Sequence, residues 1–414
     1  MAGKKRKVNS IVTHAVKSGC GPHWRPKPKF PLLNFQELTR QMTIRCMKPS
    51  QIVSYSFSSK QAARAVKEAR IHVDLMKIYL FGLDTCGETP YCEQGIELKF
   101  AGCDRTVLFS FTNDEPISRL RETDKMFYKT VTIDGKELKK CFTEKWNLDN
   151  VDYVISCLTL PYQMICHLKE VEKHFRSVFV IEKTDISLSV SEVGEYKRYF
   201  EEGPKVVRKL HIFNWEQKYA KRVVAAFQPS YIHFDECCVC CSGLRPIKVV
   251  ADRISFPRNA GTFHLRLLVA KQIEFYFPRY PFWTFGNFIT LWMSDEQMLC
   301  RDTLELFKAH VPQSLTREDV FEDLNSEEVN IMAFDRNRRP LSLKHNMNDE
   351  FDDAQEEELD LRHAVDITRD DGRIGTIHFG ENFDVLGPGY EFKIIWFVVW
   401  PKTLFHNCVC EKAF

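Results

Sequence analysis

A weak internal repeat in the second half of the chain constrains the fold more than any other sequence feature. Four segments share an x-Ile-x-Phe pattern or a close variant, and their isoleucines lie 20, 22 and 19 residues apart. The segments are Leu210–Phe213, Tyr231–Phe234, Arg253–Phe256 and Gln272–Phe275. A period of about 20 residues accommodates one strand and one helix, so the repeat predicts parallel strands that stack with each isoleucine on one face. The alternative is that independent strands share this spacing by coincidence.

The rest of the second half extends this pattern. A fifth unit is predicted at Val329–Ile331, after an insertion in which Phe288–Trp292 and Leu304–Phe307 favour helix. Near the end, Asp371-Gly372 is typical of a tight turn between two strands, and the aromatic run Phe392–Trp400 predicts a further strand beside them.

The first half changes from helical to strand-like patterns near residue 70. Apolar residues at helical spacing, introduced by Pro31 and Pro49, predict three short helices within 35–42, 51–57 and 59–69. Alternating runs then predict strands at 71–75, 96–100, 107–111, 131–133 and 178–181, and a helix is predicted at 161–168. Three short helices bury too little surface to be stable alone, so we expect a partner or a neighbouring domain to cover them.

Charge is balanced overall but unevenly distributed. The 58 Lys and Arg residues against 56 Asp and Glu residues leave a net charge of +2, which creates no general attraction to nucleic acid or membranes. The basic cluster Lys4, Lys5, Arg6 and Lys7 is typical of a nuclear import signal, the alternative being a solubilising tail. The run 349–360 holds eight acidic residues and favours a solvated loop. Because no apolar leader precedes them, the 15 cysteines are expected to be reduced thiols, with the protein in the nucleus, the cytoplasm or both.

Sequence signals for catalysis or metal binding are weak. The segment Cys237–Cys241 contains two overlapping Cys-x-x-Cys spacings, but adjacent thiols seldom converge on one zinc ion, so thiols filling a buried turn are the favoured interpretation. Phosphate-loop, His-Glu-x-x-His and Gly-x-Ser-x-Gly motifs are absent from the sequence. His167 and His174 lie seven residues apart near Glu170, with no nucleophile in the pattern. We therefore predict no enzymatic activity, no cofactor and no metal, and we consider nucleic-acid binding by the basic arm an inferior alternative.

Two parts of the chain resemble a known family. Phe30–Leu33, Met47–Pro49, Ile52-Val53 and Phe57–Lys60 look like an F-box, whose pattern is a leading proline with leucines, a central proline, an aliphatic pair and a closing Ser-Lys. The segment Asp366–Ile377, followed by an aromatic strand that ends in Val-Trp, is similar to the close of the F-box-associated domain of nematode F-box proteins.

The resemblance implies an α+β fold and a role in ubiquitin ligation. The expected fold is a short N-terminal three-helix F-box followed by a mixed α/β domain with leucine-rich-repeat-like strand–helix units and a C-terminal antiparallel hairpin. The expected divisions are a disordered basic arm (1–28), the F-box (29–70), a small mixed connecting region (71–190), the F-box-associated domain (191–403, with an acidic loop at 345–361) and a tail (404–414).

By the same resemblance, the chain is expected to be the substrate-recognition subunit of a cullin-RING ubiquitin ligase of the SCF type. The F-box would bind a Skp-type adaptor and through it cullin, while the C-terminal domain would bind a protein target. The expected adaptor contacts are Pro31, Leu32, Leu33, Leu38, Pro49, Ile52, Val53, Phe57 and Lys60. The alternative is a non-catalytic nuclear scaffold or interaction module that engages no ligase.

Overall fold

The computed structural model describes most of the chain after the N-terminal arm. The described residues are 32, 35–80, 94–103, 105–112, 129–133, 136–144, 151–158, 161–189, 199, 201, 204–213, 223–234, 248–256, 268–276, 285–294, 298–326, 329, 331–334, 340–345, 357–380 and 392–401. The predicted basic arm, the segment Cys237–Cys241 and the tail 404–414 lie outside them.

The protein is a mixed α/β protein whose chain divides into two compact units, Met1–Leu210 and His211–Phe414. The division falls within a strand, β8 (Val206–Phe213), whereas the sequence placed the start of the second domain at residue 191. The finer domain boundaries remain predictions.

The first unit contains four described helices and seven strands before β8. These elements are α1 (Glu37–Arg45), α2 (Pro49–Ser56), α3 (Lys60–Ala69), β1 (His72–Leu80), β2 (Gln94–Phe100), β3 (Thr106–Thr112), β4 (Lys129–Ile133), β5 (Lys136–Glu144), β6 (Val151–Leu158), α4 (Pro161–Val178) and β7 (Val180–Ser189). The predicted helices and strands of this unit are present, although α4 extends ten residues beyond the predicted helix and includes Val178, where a strand was expected to begin. Strands β5 and β6 were not predicted from the sequence.

The strands of the first unit form a mixed sheet in the order β7-β1-β2-β3-β6-β5-β4. Strand β1 pairs parallel with β7 and antiparallel with β2, and β3 pairs parallel with β6. Helix α4 packs on β2 and β3 and buries Leu168, Val171 and Phe175.

The second unit is built mainly from short strands. Its elements after β8 are β9 (Gln228–Phe234), β10 (Val249–Val250), β11 (Arg253–Phe256), β12 (Leu268–Val269), β13 (Gln272–Tyr276), α5 (Phe285–Ser294), β14 (Leu306–Pro312), α6 (Arg317–Ser326), β15 (Ile331–Ala333), β16 (Ser342–His345), β17 (Glu357–Asp360), β18 (Val365–Thr368), β19 (Ile374–Phe379) and β20 (Phe392–Val399). The main sheet has the order β15-β18-β19-β20-β14-β13-β11-β9.

The repeat forms a parallel ladder in this sheet. Ile232 pairs with Ile254 and Ile254 pairs with Ile273, and all three side chains are fully buried. Strands β13 and β14 begin with the same hydrogen-bond pattern. The carbonyl of Asp252 accepts hydrogen bonds from the backbone of Lys271 and of the residue after it, both at 3.0 Å. The carbonyl of Lys271 does the same for the backbone of Glu305 and of the residue that follows it. The predicted parallel stacking is thus confirmed for these three repeats.

The predicted fifth unit is wrong. Leu304–Phe307, which the sequence favoured as helix, leads into β14, and Phe307 pairs with Ile273 in the parallel ladder. Ile331 instead belongs to β15, which pairs antiparallel with β18. Burial explains the difference, since Phe307 is fully buried and stacks on Phe288 at 3.7 Å, a tertiary contact that overrides local propensity. The helix predicted at Phe288–Trp292 is present as part of α5.

The predicted acidic loop at 345–361 is wrong at both ends. His345 belongs to β16, and Glu357–Asp360 forms β17, which pairs with it antiparallel. Leu359 and Leu361 are buried in a cluster with Trp396 and Trp400, and this burial orders the end of the acidic run. The intervening residues 346–356 lie outside the described residues.

Strands β18 and β19 pair antiparallel around a turn at Asp371-Gly372. Gly372 has a φ of 81°, a conformation that glycine adopts without steric cost. Gly375 faces the ring of the fully buried Phe397, which a Cβ atom at that position would overlap. The two glycines therefore have different roles, one in the turn and one in the packing of β19 against β20.

Polar side chains of the same segment bond to one another inside the fold. Trp400 Nε1 donates a hydrogen bond to Thr376 Oγ1 at 2.7 Å, and Thr376 Oγ1 donates to Asp366 Oδ1 at 2.6 Å. Arg369, whose side chain is almost wholly buried, donates to Asp371 Oδ1 at 2.9 Å and to Asp302 Oδ1 at 2.8 Å. The polar residues of the Asp366–Ile377 motif thus hold the strands together.

Candidate functional site

The three N-terminal helices form a small packed layer. Ile44 of α1, Val53 of α2 and Val66 of α3 are fully buried. Pro49 occupies the first turn of α2, where no backbone N–H is needed for a helical hydrogen bond. At the start of α3, Ser59 caps the helix by accepting a hydrogen bond from the backbone of Ala62 at 3.0 Å.

The end of α2 anchors this layer to the body of the first unit. Phe57 stacks on the imidazole of His174 with ring centroids 4.5 Å apart, and it lies 5.6 Å from both Phe109 of β3 and Phe175 of α4. Ser56 Oγ lies 3.1 Å from His174 Nε2, within hydrogen-bond distance. The apolar side of the helices is therefore covered by the rest of the first unit, which agrees with the expected cover by a neighbouring part of the chain and not by a partner on this side.

The predicted adaptor contacts fall into three groups. Leu32, Ile52, Val53 and Phe57 are buried in the chain itself, so in this conformation they support the surface and do not form it. Pro49 is half-buried and Lys60 is exposed. Pro31 and Leu33 lie outside the described residues.

The ninth predicted contact, Leu38, is exposed. It projects from α1 with 69% of its surface accessible, and Met42, one turn later, is 59% accessible. Residues four apart lie on the same face of a helix, so the two side chains form one apolar patch, which we call the α1 patch. Met42 was not predicted as a contact, although its spacing of four residues from Leu38 was a usable signal in the sequence.

A polar layer lies between the helices. Arg40 of α1 donates a hydrogen bond to Glu68 of α3 at 2.9 Å. Tyr55 of α2 is half-buried; burial raises the pKa of its phenol, and the charge of Arg40 partly offsets this effect. The bridge fixes the angle between α1 and α3 and hence the direction in which the α1 patch faces.

A second cluster lies on the polar face of the parallel ladder. Glu274 of β13 accepts a hydrogen bond from His310 Nε2 at 2.8 Å, and Lys308 Nζ lies 3.4 Å from the same carboxylate. These two groups contact Oε1 of Glu274, whereas Oε2 lies 3.3 Å from the guanidinium of Arg253 and 3.3 Å from Ser255 Oγ. This cluster was not predicted from the sequence, in which its signal was a polar residue directly after each buried ladder residue.

Electrostatics in this cluster favour the ionised carboxylate. Burial alone would raise the pKa of Glu274, but the hydrogen bond from His310 and the charges of Lys308 and Arg253 outweigh it and lower this pKa to about 2. Burial lowers the pKa of His310, which Glu274 partly opposes. Because Glu274, Lys308 and His310 are buried, the cluster is a covered polar layer and not an open recognition surface.

The described residues offer little for chemistry. Ser255 Oγ bonds to a carboxylate and not to a base, and burial raises the pKa of the Cys300 thiol to about 12. Within the described ranges, no group of three or more histidine, cysteine or acidic side chains is placed to hold a metal ion. Across the same residues, no helix has the length and apolar character needed to span a bilayer.

Comparisons with known proteins add no relative. No family model, no curated protein and no solved structure matches the chain.

Proposed function

We propose that this chain is a non-enzymatic substrate receptor of an SCF-type ubiquitin ligase, which binds a Skp-type adaptor through α1–α3. The observation that carries the proposal is the α1 patch, because it exposes two large apolar side chains on a helix whose other faces are packed or polar. Leu38 also belongs to the segment that resembles an F-box.

The packing of the helices supports this role. A receptor must present its adaptor-binding helices in a fixed orientation, which requires rigid packing of these helices on the rest of the first unit. The contacts of Phe57 with Phe109, Phe175 and His174 provide that rigidity. The same proposal includes a protein target, a location in the nucleus, the cytoplasm or both, and nuclear import through Lys4–Lys7.

A second candidate function is a scaffold that binds partners without a ligase. The burial of Leu32, Ile52, Val53 and Phe57 favours it, because these four residues, expected at an adaptor interface, already pack in the chain's own core. The two candidates differ in what the α1 patch binds.

The test is co-purification of the intact chain with a Skp-type adaptor. We expect the wild-type chain to bind and the double variant Leu38→Asp, Met42→Asp to lose binding. The matched control is Leu341→Asp, which introduces the same charge at a 45% exposed leucine of the second unit. Binding that survives the double variant, or that the control also abolishes, would favour the scaffold.

Surface variants are preferable to deletion of the helices. Removing residues 29–70 would uncover Phe109 and Phe175, and a polar residue at Ile52 would enter a buried position. Loss of binding in either variant would then reflect loss of folding.

A further inference from the structure

A cleft opens in the first unit where the start of α2 and the end of α3 meet β1 and the end of β2. Its volume is about 510 Å³, within the range of ligand-binding pockets. The floor is apolar and is formed by Met47, Pro49, Ile52, Ile71 and Phe100. This floor provides a site for one large apolar side chain.

The rim of the cleft is positively charged. Arg45, Arg70 and His72 line it and are exposed, and none of the described lining residues is acidic. His72 Nδ1 lies 3.4 Å from Glu182, so its charge, when protonated, is already opposed. Arg45 uses its Nε to donate to the carbonyl of Ala69 at 3.0 Å. Two guanidinium groups therefore determine the charge of the rim.

The backbone at Arg70 is unusual. Its φ of 51° and ψ of 57° place it in the left-handed region, and it is the sole described non-glycine residue with a positive φ. A helix end in this conformation strongly favours glycine, because a Cβ atom there costs free energy. Strained positions held by other residues concentrate at functional sites. An arginine here thus points to a use for its side chain.

We propose that this cleft binds an extended segment of a partner protein in which an apolar side chain is followed by acidic residues. The floor accepts the apolar side chain, and Arg45 and Arg70 form charge-assisted hydrogen bonds with the carboxylates. The exposed rim lets a chain enter and leave, as a peptide requires. The site is separate from the α1 patch, since neither Leu38 nor Met42 lines it.

The first measurement is fluorescence anisotropy with the full-length chain. The probes are three labelled peptides in which Leu, Phe or Trp precedes two glutamates, each with a matched peptide carrying two glutamines. We expect at least one acidic peptide to bind saturably. Its glutamine counterpart should bind at least about tenfold more weakly. Equal binding of both, or no saturation by any acidic peptide below about 1 mM, would overturn the proposal.

The decisive variant is Arg70→Gly. Glycine suits the left-handed backbone, so we expect the melting temperature of the variant to be unchanged or raised. The acidic peptide should bind to it at least about tenfold more weakly. The control is Arg64→Gln, which removes one positive charge from the exposed part of α3 outside the cleft and should keep wild-type affinity. Wild-type affinity in Arg70→Gly, or an equal loss in the control, would refute the role of Arg70.

A small anionic ligand is the competing occupant. If 4-phenylbutyrate binds as tightly as the acidic peptide, the site is one for small molecules and the peptide proposal fails. The double variant of the α1 patch should leave peptide binding intact, which keeps this result independent of the adaptor proposal.

Discussion

The C-terminal hairpin and helix α1 lie in the two regions of the chain that resemble a known family, yet the hairpin buries polar side chains whereas α1 exposes apolar ones. In the hairpin, Asp366, Arg369 and Thr376 are buried and bonded to one another or to neighbouring strands. In α1, Leu38 and Met42 project into solvent. Buried polar residues and exposed apolar patches are the two informative cases on a protein, and they have different explanations.

This contrast separates motifs that stabilise a fold from motifs available to a partner. A buried polar residue must be hydrogen-bonded, so its substitution should alter stability first. An exposed apolar residue contributes little to stability, so its substitution should alter binding first. The two regions can be distinguished by the size of the stability effect.

The largest stability effect is expected at Glu274, a buried carboxylate with four polar partners in the second unit. A pKa that falls from 4.5 to about 2 on folding corresponds to about 3 kcal/mol of stability at neutral pH. Glu274→Gln should lose about this amount, because it leaves the charges of Lys308 and Arg253 without their carboxylate. Denaturant unfolding followed by tryptophan fluorescence measures the change.

The same variant should change the pH dependence. Because folding lowers the pKa of Glu274, its stabilisation is present above pH 4.5 and is lost as the pH falls from about 4.5 to about 2. This acid limb should be shallower in Glu274→Gln. Folding also lowers the pKa of His310, so His310 destabilises the fold as the pH falls below its ordinary 6.5, in both proteins. If the free energy of unfolding fell with the same slope below pH 4.5 in the wild type and in Glu274→Gln, the lowered pKa of Glu274 would be contradicted.

A somewhat smaller effect is expected at Gly375. An alanine there would overlap the ring of Phe397, which is fully buried and packs edge-on against Phe288 and Trp292, so Gly375→Ala should cost about 2 to 3 kcal/mol. Gly102→Ala has nothing within 4 Å of its Cβ position but a positive φ, so it measures the cost of backbone strain alone. A loss of less than about 1 kcal/mol in Gly375→Ala would show that packing against Phe397 is unimportant.

The bonded chain through Thr376 should contribute less. Thr376→Val keeps the shape but removes the hydroxyl that bonds to Asp366 and Trp400, so we expect a loss of about 1 to 3 kcal/mol. Thr376→Ser keeps the hydroxyl and should retain more of the stability. Urea unfolding of the two variants side by side tests this order, and a valine variant as stable as the serine variant would contradict it.

The smallest effect is expected at α1. The double variant Leu38→Asp, Met42→Asp should change the free energy of unfolding by about 0.5 kcal/mol or less, because both side chains are largely exposed. A loss of several kcal/mol in the same denaturant experiment would mean that the α1 patch is structural. The contrast between α1 and the hairpin would then disappear.

Local pattern predicted much of this fold. The isoleucine spacing predicted the parallel ladder through Ile232, Ile254 and Ile273, and the turn at Asp371-Gly372 lies between two paired strands. Both depend on short-range features, namely the alternation of a strand and a dipeptide that permits a tight turn. The positions of α1 to α4 and of β1 to β4 follow for the same reason, whereas β5 and β6 were not predicted.

Features that depend on tertiary packing were not predictable. Phe307 enters the ladder because it pairs with Ile273 and stacks on Phe288, and neither contact is encoded locally. Which face of α1 is buried depends on where α3 lies, so the sequence could not assign the exposure of Leu38. The Glu274 cluster joins residues from three strands and needed the register of the sheet.

Strand β20 lies between β14 and β19 although it is synthesised after every other described strand. During translation, the edges of β14 and β19 therefore expose unpaired backbone groups until residues 392–399 have left the ribosome. Such edges are prone to pairing with other chains, and contacts between distant residues form slowly. The nascent second unit should consequently depend on chaperones for longer than the first, and chains interrupted before Phe392 should aggregate.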